Sequence, residues 1–193
     1  VGTLHAIVVA PPGRFSVETP SALAVDLGCA YTLEVAPDGS SWITVDIGWV
    51  SFEAGGRESF VPAGARCRTR VAEGPGIPVY DDASAAFRLA VAGLEDAREP
   101  RQRAEALATL IGEARVRDAP TLWHVLSRVS RPEARAVHER LAGLVPPPPG
   151  IGPEDVLTGQ RRALDAWWDA LGLGSVDLVG FSGLCERRAT LGP

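Results

Sequence analysis

His5, His124 and His138 are the side chains of this chain best suited to general-base work near neutral pH. His124 lies between Trp123 and Val125 in a helical pattern. His138 follows Val137 and precedes Glu139-Arg140 in another. Nothing in their spacing brings them together, so both read as packing or surface histidines. Glu53 with Glu58, or Asp81 with Asp82, could be a glycosidase pair only if a cleft held the carboxyls at a set separation. Neighbours on a hairpin or at a helix start read as solvated carboxylates and a cap. Gly74-x-Gly76 and Gly150-x-Gly152 lack the glycine spacing of a phosphate loop, and the chain has no lysine to complete one. No residue pattern calls for a metal or a cofactor.

The three cysteines do not make a disulfide framework, and no Cys/His cluster has zinc spacing. Cys29 and Cys67 both sit in strand-like context. They read either as buried thiols, since cysteine packs as a small hydrophobe, or as a Cys29–Cys67 disulfide in an oxidising compartment. Cys185 is left over.

Two sets of residues suit binding better than catalysis. Arg66, Arg68 and Arg70 alternate along one strand and therefore share a face. They make either a charged edge strand guarded against aggregation or a cationic docking strip. Trp167 and Trp168 are adjacent on a helix, about 100° apart. Both cannot then face one core, so one of them is a candidate for a contact between the helical and β parts, and the two are read as a candidate interaction surface.

The elements that position these residues change character along the chain. From Phe15 to Val35 nearly every odd residue is apolar, the period of a pleated strand. Thr19-Pro20 interrupts the run, which predicts two strands joined at a corner. Leu4–Val9 is a strand candidate before it. Pro37-Asp38-Gly39-Ser40 marks a hairpin, the parity shift at Gly48-Trp49 a bulge or corner, and Gly55-Gly56 a turn. Strand signals recur to about Val71, which argues a sandwich or roll. After a Gly/Pro-rich linker the period becomes helical. Helices are expected from Asp82/Ser84, from Pro100, from Asp118-Ala119-Pro120, from Ser130-Arg131-Pro132-Glu133, and from Pro153 to Leu171. The expected fold class is α+β: an all-β domain over 1–72, a linker over 73–81, a small all-α module over 82–171, and an irregular tail over 172–193. Within the tail, Val176, Leu178 and Val179 could make a strand.

The 193 residues carry a net charge of −5, and 46% of them are hydrophobic. That is globular composition with no basic surface for nucleic acid. No run approaches the roughly 20 apolar residues of a membrane span. The absence of Lys and Asn beside many Arg, Gly and Pro reads as genomic GC bias. The chain starts at Val and holds no Met, so it is expected to be a processed form or a fragment, with any anchor upstream.

Phe15-Ser-Val-Glu-Thr-Pro20 resembles the F-x-V-x-T-P signature of FecR-type domains. Leu23–Val35 resembles the alternating segment that follows it, with Gly28-Cys29 where that family usually has Gly-Thr. Val45-Asp-Ile-Gly48-Trp-Val50 is similar to the next element and Phe60-Val-Pro-Ala-Gly64 to the closing turn. The four elements run in order from Phe15 to Gly64. It implies an all-β domain at the periplasmic or extracellular face of a bacterial envelope, binding envelope proteins and having no catalytic residues. Helices follow the β domain here, where typical members continue differently. The leading expectation is thus a non-enzymatic envelope sensor or interaction domain, whose partners are envelope proteins or further copies of itself. Behind it stand a structural, assembly-forming subunit and then a hydrolase with a cleft between the β and helical parts, using His124 or His138.

Overall fold

Thr19-Pro20-Ser21-Ala22 is a four-residue turn closed by its own threonine. Thr19 N–H donates to the Ala22 carbonyl at 2.9 Å, and Thr19 Oγ1 accepts from Ala22 N at 3.0 Å. Proline supplies the fixed φ such a turn needs. The computed structural model, which describes residues 1–9 and 11–171, builds on this corner. Its strands are β1 (Gly2–Ile7), β2 (Ser16–Glu18), β3 (Leu23–Asp26), β4 (Ala30–Val35), β5 (Ser41–Ile47), β6 (Trp49–Ala54), β7 (Arg57–Pro62), β8 (Ala65–Arg70) and β9 (Gly74–Pro75).

They form two antiparallel sheets. One runs β1-β4-β5-β8, with β9 paired to β8; the other runs β2-β3-β6-β7. The run from Phe15 to Val35 therefore makes three strands, not the two expected from its alternation. The chain changes sheets between β3 and β4, through Leu27-Gly28-Cys29. The buried face also changes parity there. Ala24 and Asp26 are fully buried on β3, whereas Tyr31 and Leu33 are buried on β4. Apolar residues on both faces of β3 hid that switch. A second crossing, at Gly48 between β5 and β6, accounts for the parity shift at Gly48-Trp49, and a bulge lies opposite Ala30/Tyr31. Ile43 and Val45 from one sheet and Val50, Phe52 and Val61 from the other are fully buried, as expected of a shared core.

The chain divides into two compact units, Val1–Pro75 and Gly76–Gly172. In the second, the helices are α1 (Ala85–Asp96), α2 (Pro100–Glu113), α3 (Ala119–Leu126), α4 (Arg131–Leu144), α5 (Pro153–Leu157) and α6 (Arg161–Ala170). Two of the caps are those the sequence signals, whereas Asp118 makes no side-chain cap bond to α3. Ser84 Oγ accepts from Phe87 N at 3.0 Å, and Ser130 and Glu133 form a capping box on α4. The last expected helix, Pro153 to Leu171, is instead two helices. Gly159 takes φ 74° just past α5, a left-handed position that stops the first and redirects the second. Phe87, Leu110, Leu122, Val125, Val137 and Leu141 form the fully buried centre of this unit. The tail strand candidate and Cys185 lie outside the described residues. No helix among the described residues is long and apolar enough to cross a membrane.

Candidate functional site

The two sheet crossings in the β unit meet. At Gly48 (φ 72°), an added Cβ would lie 2.1 Å from the Gly28 carbonyl oxygen. Gly28 itself has φ 89°. Leu27 N donates to the Trp49 carbonyl at 3.2 Å, Ala63 N to Gly48 at 2.9 Å and Gly64 N to Val45 at 2.7 Å. The crossings and the β7–β8 turn are thus tied into one corner by backbone bonds. Positive φ and lack of space require glycine at Gly48.

Polar side chains brace the same unit from inside. Asp26 is fully buried; its Oδ1 accepts from Gly28 N at 2.8 Å and its Oδ2 from the Cys29 thiol. Burial and the adjoining carboxylate push the Cys29 thiol far up its titration range, so it stays protonated and is a poor nucleophile. The Tyr31 hydroxyl, buried without a hydrogen-bond partner, is pushed up to about 12, chiefly by burial. At the other end, Ser21 Oγ reaches Thr69 Oγ1 at 2.5 Å and Ser41 Oγ at 3.1 Å, joining the β2–β3 turn to β5 and β8. Cys29 and Cys67 are both buried. The Cys29–Cys67 disulfide, one of two alternatives read from the sequence, is not formed. Cys29 is turned to Asp26, and Cys67 Sγ lies 3.5 Å from the Arg68 carbonyl.

The arginine strip lies on the outer face of β8. Arg66 and Arg68 both sit over the indole of Trp42, with guanidinium carbons 5.9 and 5.7 Å from the ring centroid. Trp42 stands directly opposite Arg68 across the β5–β8 ladder. Arg70 turns away and pairs with Glu73 at 3.3 Å. Strand β8 has β5 along one side, and β9 covers Thr69 and Arg70 on the other, so it is not an edge open along its length. Trp42, whose role at this surface the sequence reading missed, is the residue that orders the strip. Its register with Arg68 was the missing information.

The tryptophan expectation is corrected. Trp167 is fully buried and Trp168 nearly so, and both face one cluster. Both rings converge on Trp123, with centroids 6.0 and 5.9 Å away, because an indole is long enough to reach across the 100° between neighbours. The histidines join this cluster. His138 meets Trp167 edge-on at 5.1 Å and His124 meets Trp168 at 6.0 Å. His138 Nε2 is buried without a partner, and burial holds its pKa below the usual histidine value.

A groove of about 680 Å³ opens in the β unit beside the Thr19–Ala22 turn; Glu18, Glu53, Arg57 and Glu73 line it. Glu53 accepts from Ser51 and Glu73 from Arg70, and none of the three histidines reaches it. Glu53 and Glu58 are direct cross-strand partners sharing the Ser51 hydroxyl. Asp82 pairs with Arg115 and Arg117 at 3.1 and 3.0 Å. No group of three or more His, Cys, Asp or Glu among the described residues could hold a metal ion. The chain matches no protein-family model, no curated protein and no solved structure.

Proposed function

We propose that this chain is a non-enzymatic, FecR-like envelope domain that binds protein partners through its β unit, as a sensor or interaction platform. The observation that carries the reading is where the motif residues fall. Thr19-Pro20 makes the turn from β2 to β3, Gly28 the crossing to β4, Gly48 the crossing to β6, and Gly64 (φ 79°) the turn into β8. The residues that carry the resemblance hold backbone corners. They present no reactive atom, which suits a domain whose family signature is a fold and not a chemistry. The side chains that do face outward in an ordered array, Trp42 with Arg66 and Arg68, form a docking strip suited to an acidic partner.

Crosslinking of the full-length protein in envelope fractions tests the proposal. A specific protein partner is expected, crosslinked through the β unit and weakened by Arg68→Glu. Failure to recover any partner across varied inducing conditions, or a full-length protein confined to the cytoplasm, overturns it.

A further inference from the structure

Helix α6 is fastened to its unit by tryptophan. Its four charged residues, Arg161, Arg162, Asp165 and Asp169, are all exposed, and Arg161 pairs with Asp165 inside the helix. Ala163, Trp167 and Trp168 are its buried residues. Trp167 Nε1 donates to the Val145 carbonyl at 3.0 Å, which ties α6 to the end of α4. The other helices have a core of their own. Phe87 of α1, Leu110 of α2, Leu122 and Val125 of α3, and Val137 and Leu141 of α4 are all fully buried.

The ring that anchors α6 lies against His138 of α4, with centroids 5.1 Å apart. His138 is 5% exposed, and its Nε2 is buried with no hydrogen-bond partner. A neutral imidazole tolerates that place. An imidazolium brings a charge and a second N–H donor, both of which need an answer. On α4 itself Glu139 favours the charged form and Arg135 opposes it, and burial outweighs both. The carboxylates of the neighbouring helices are engaged elsewhere or face solvent. α3 has none; His124 is its titratable side chain and meets Trp168, and Asp118 before it is gripped by Arg115. On α5, Glu154 bonds Arg131 and Arg135, while Asp155 accepts from Gly152 N and Gln160. On α2, Glu105 bonds Arg101 and Glu113 bonds Ser84. Asp165 and Asp169 of α6 are exposed.

We infer that α6 is a pH-released latch: protonation of His138 undocks Trp167 and frees α6 while α1 to α4 stay folded. Release uncovers Trp123 and carries Trp167 and Trp168 into solvent, so acid brings out an aromatic surface that is stored at neutral pH. The direction follows from linkage. His138 titrates near 6.5 once exposed and lower while α6 is docked. The undocked form therefore takes up the extra proton, and docking is complete above about pH 6.5 and lost as pH falls below it. One coupled proton weakens docking by up to about tenfold per pH unit. The latch is independent of what the β unit binds.

Hydrogen exchange of the intact chain, read by mass spectrometry and corrected for the intrinsic rate at each pH, tests the latch. From about pH 7.5 to about pH 5, protection across α6 should fall about tenfold or more while α3 and α4 keep theirs. Acrylamide should quench tryptophan emission more strongly at the acid end. His138→Gln and His138→Leu should each remove the change, and His124→Gln should keep it. Equal protection of α6 at both ends of the range overturns the inference. So does protection that rises in acid, as it would if the Trp167 ring held the imidazolium. Loss of α3 and α4 together with α6, or a pH response that survives His138→Leu, overturns it as well.

Discussion

The β unit and the helical unit place their polar groups in opposite ways. In the β unit the polar braces are inside: Asp26 with Cys29 at one end, Ser21 with Ser41 and Thr69 at the other. Its shape depends on a backbone corner that admits no side chain at Gly48. In the helical unit the centre is apolar, and the polar work is done at helix starts and by ion pairs such as Arg103–Glu133 and Arg131–Glu154. The difference follows from how each element satisfies its backbone. A helix bonds itself and needs help only at its ends, whereas a chain crossing between sheets leaves groups unpaired inside the core. The β unit is therefore specified by backbone geometry at a few positions, and the helical unit by the sum of its packing.

The sharpest way to break that contrast is one methyl group in each unit. Gly48→Ala puts a Cβ against the Gly28 carbonyl at a φ of 72°, and neither backbone can yield without opening both sheet crossings. The β unit is expected to lose more than about 4 kcal/mol, in the range of the most severe single substitutions, and to unfold at ambient temperature. Gly143→Ala in α4 meets nothing within 4 Å and should stabilise the helical unit by about 0.5–1 kcal/mol. Circular dichroism during chemical denaturation reads both.

Next in size is a place where the helical unit does resemble the β unit. Asp118 is fully buried at the turn into α3. Arg115 grips it with Nε at 2.8 Å and Nη2 at 3.0 Å, and the Arg115 N–H adds a third bond at 2.9 Å. The two carboxylates around Arg115 raise its own pKa, the Asp118 hydrogen bond most. Arg115→Met should cost about 3 kcal/mol, at the low end for stranding a buried charge because the guanidinium is itself half exposed. Arg117→Ala, which breaks only the exposed pair with Asp82, should cost under about 1 kcal/mol. Equal losses would show that position relative to the core is irrelevant here.

The same distinction explains what could be read from the sequence. Helix starts were legible because caps are local: Ser84, Pro100, Asp118 and Ser130 announce themselves within four residues. The α+β class was legible from the change of period after the linker. The switch of sheets at Leu27-Gly28-Cys29 was not, because Leu23, Val25 and Leu27 continue the odd-numbered apolar pattern while the buried face of β3 is the even one. The Trp42–Arg68 pairing was hidden for a related reason. It depends on the register of two strands separated by β6 and β7, and no local signal encodes that. That Trp167 and Trp168 share one cluster was hidden because helical angle alone ignores the reach of a large ring.

Acid should act on the helical unit through His138. Burial lowers its folded pKa below 6.5, while the unfolded chain titrates near 6.5; on its own helix the Glu139 charge opposes the shift and Arg135 adds to it. The unfolded state then binds more protons below that value, so stability is complete above it and declines as pH falls through 6.5 and beyond. His138→Leu should flatten the unfolding midpoint between about pH 5 and 7 relative to wild type, while Gly143→Ala leaves the slope unchanged. A wild-type curve as flat as that of His138→Leu would mean that the buried Nε2 finds a partner on protonation.

A smaller effect than that of Arg115→Met belongs to the internal brace of the β unit. Cys29 donates to a buried carboxylate and is shielded from chemistry by the same burial. If its role is to donate, Cys29→Ser should be tolerated, whereas Cys29→Ala should cost about 1–2 kcal/mol by leaving Asp26 one donor short. If the sulfur acts only as a small hydrophobe, the order reverses, since alanine fills the space without a hydroxyl to satisfy. Denaturant midpoints of the two variants separate these cases. Serine above alanine would place the corner under polar control, as a β unit specified by backbone geometry requires; alanine above serine would make this corner a matter of packing, like the helical core.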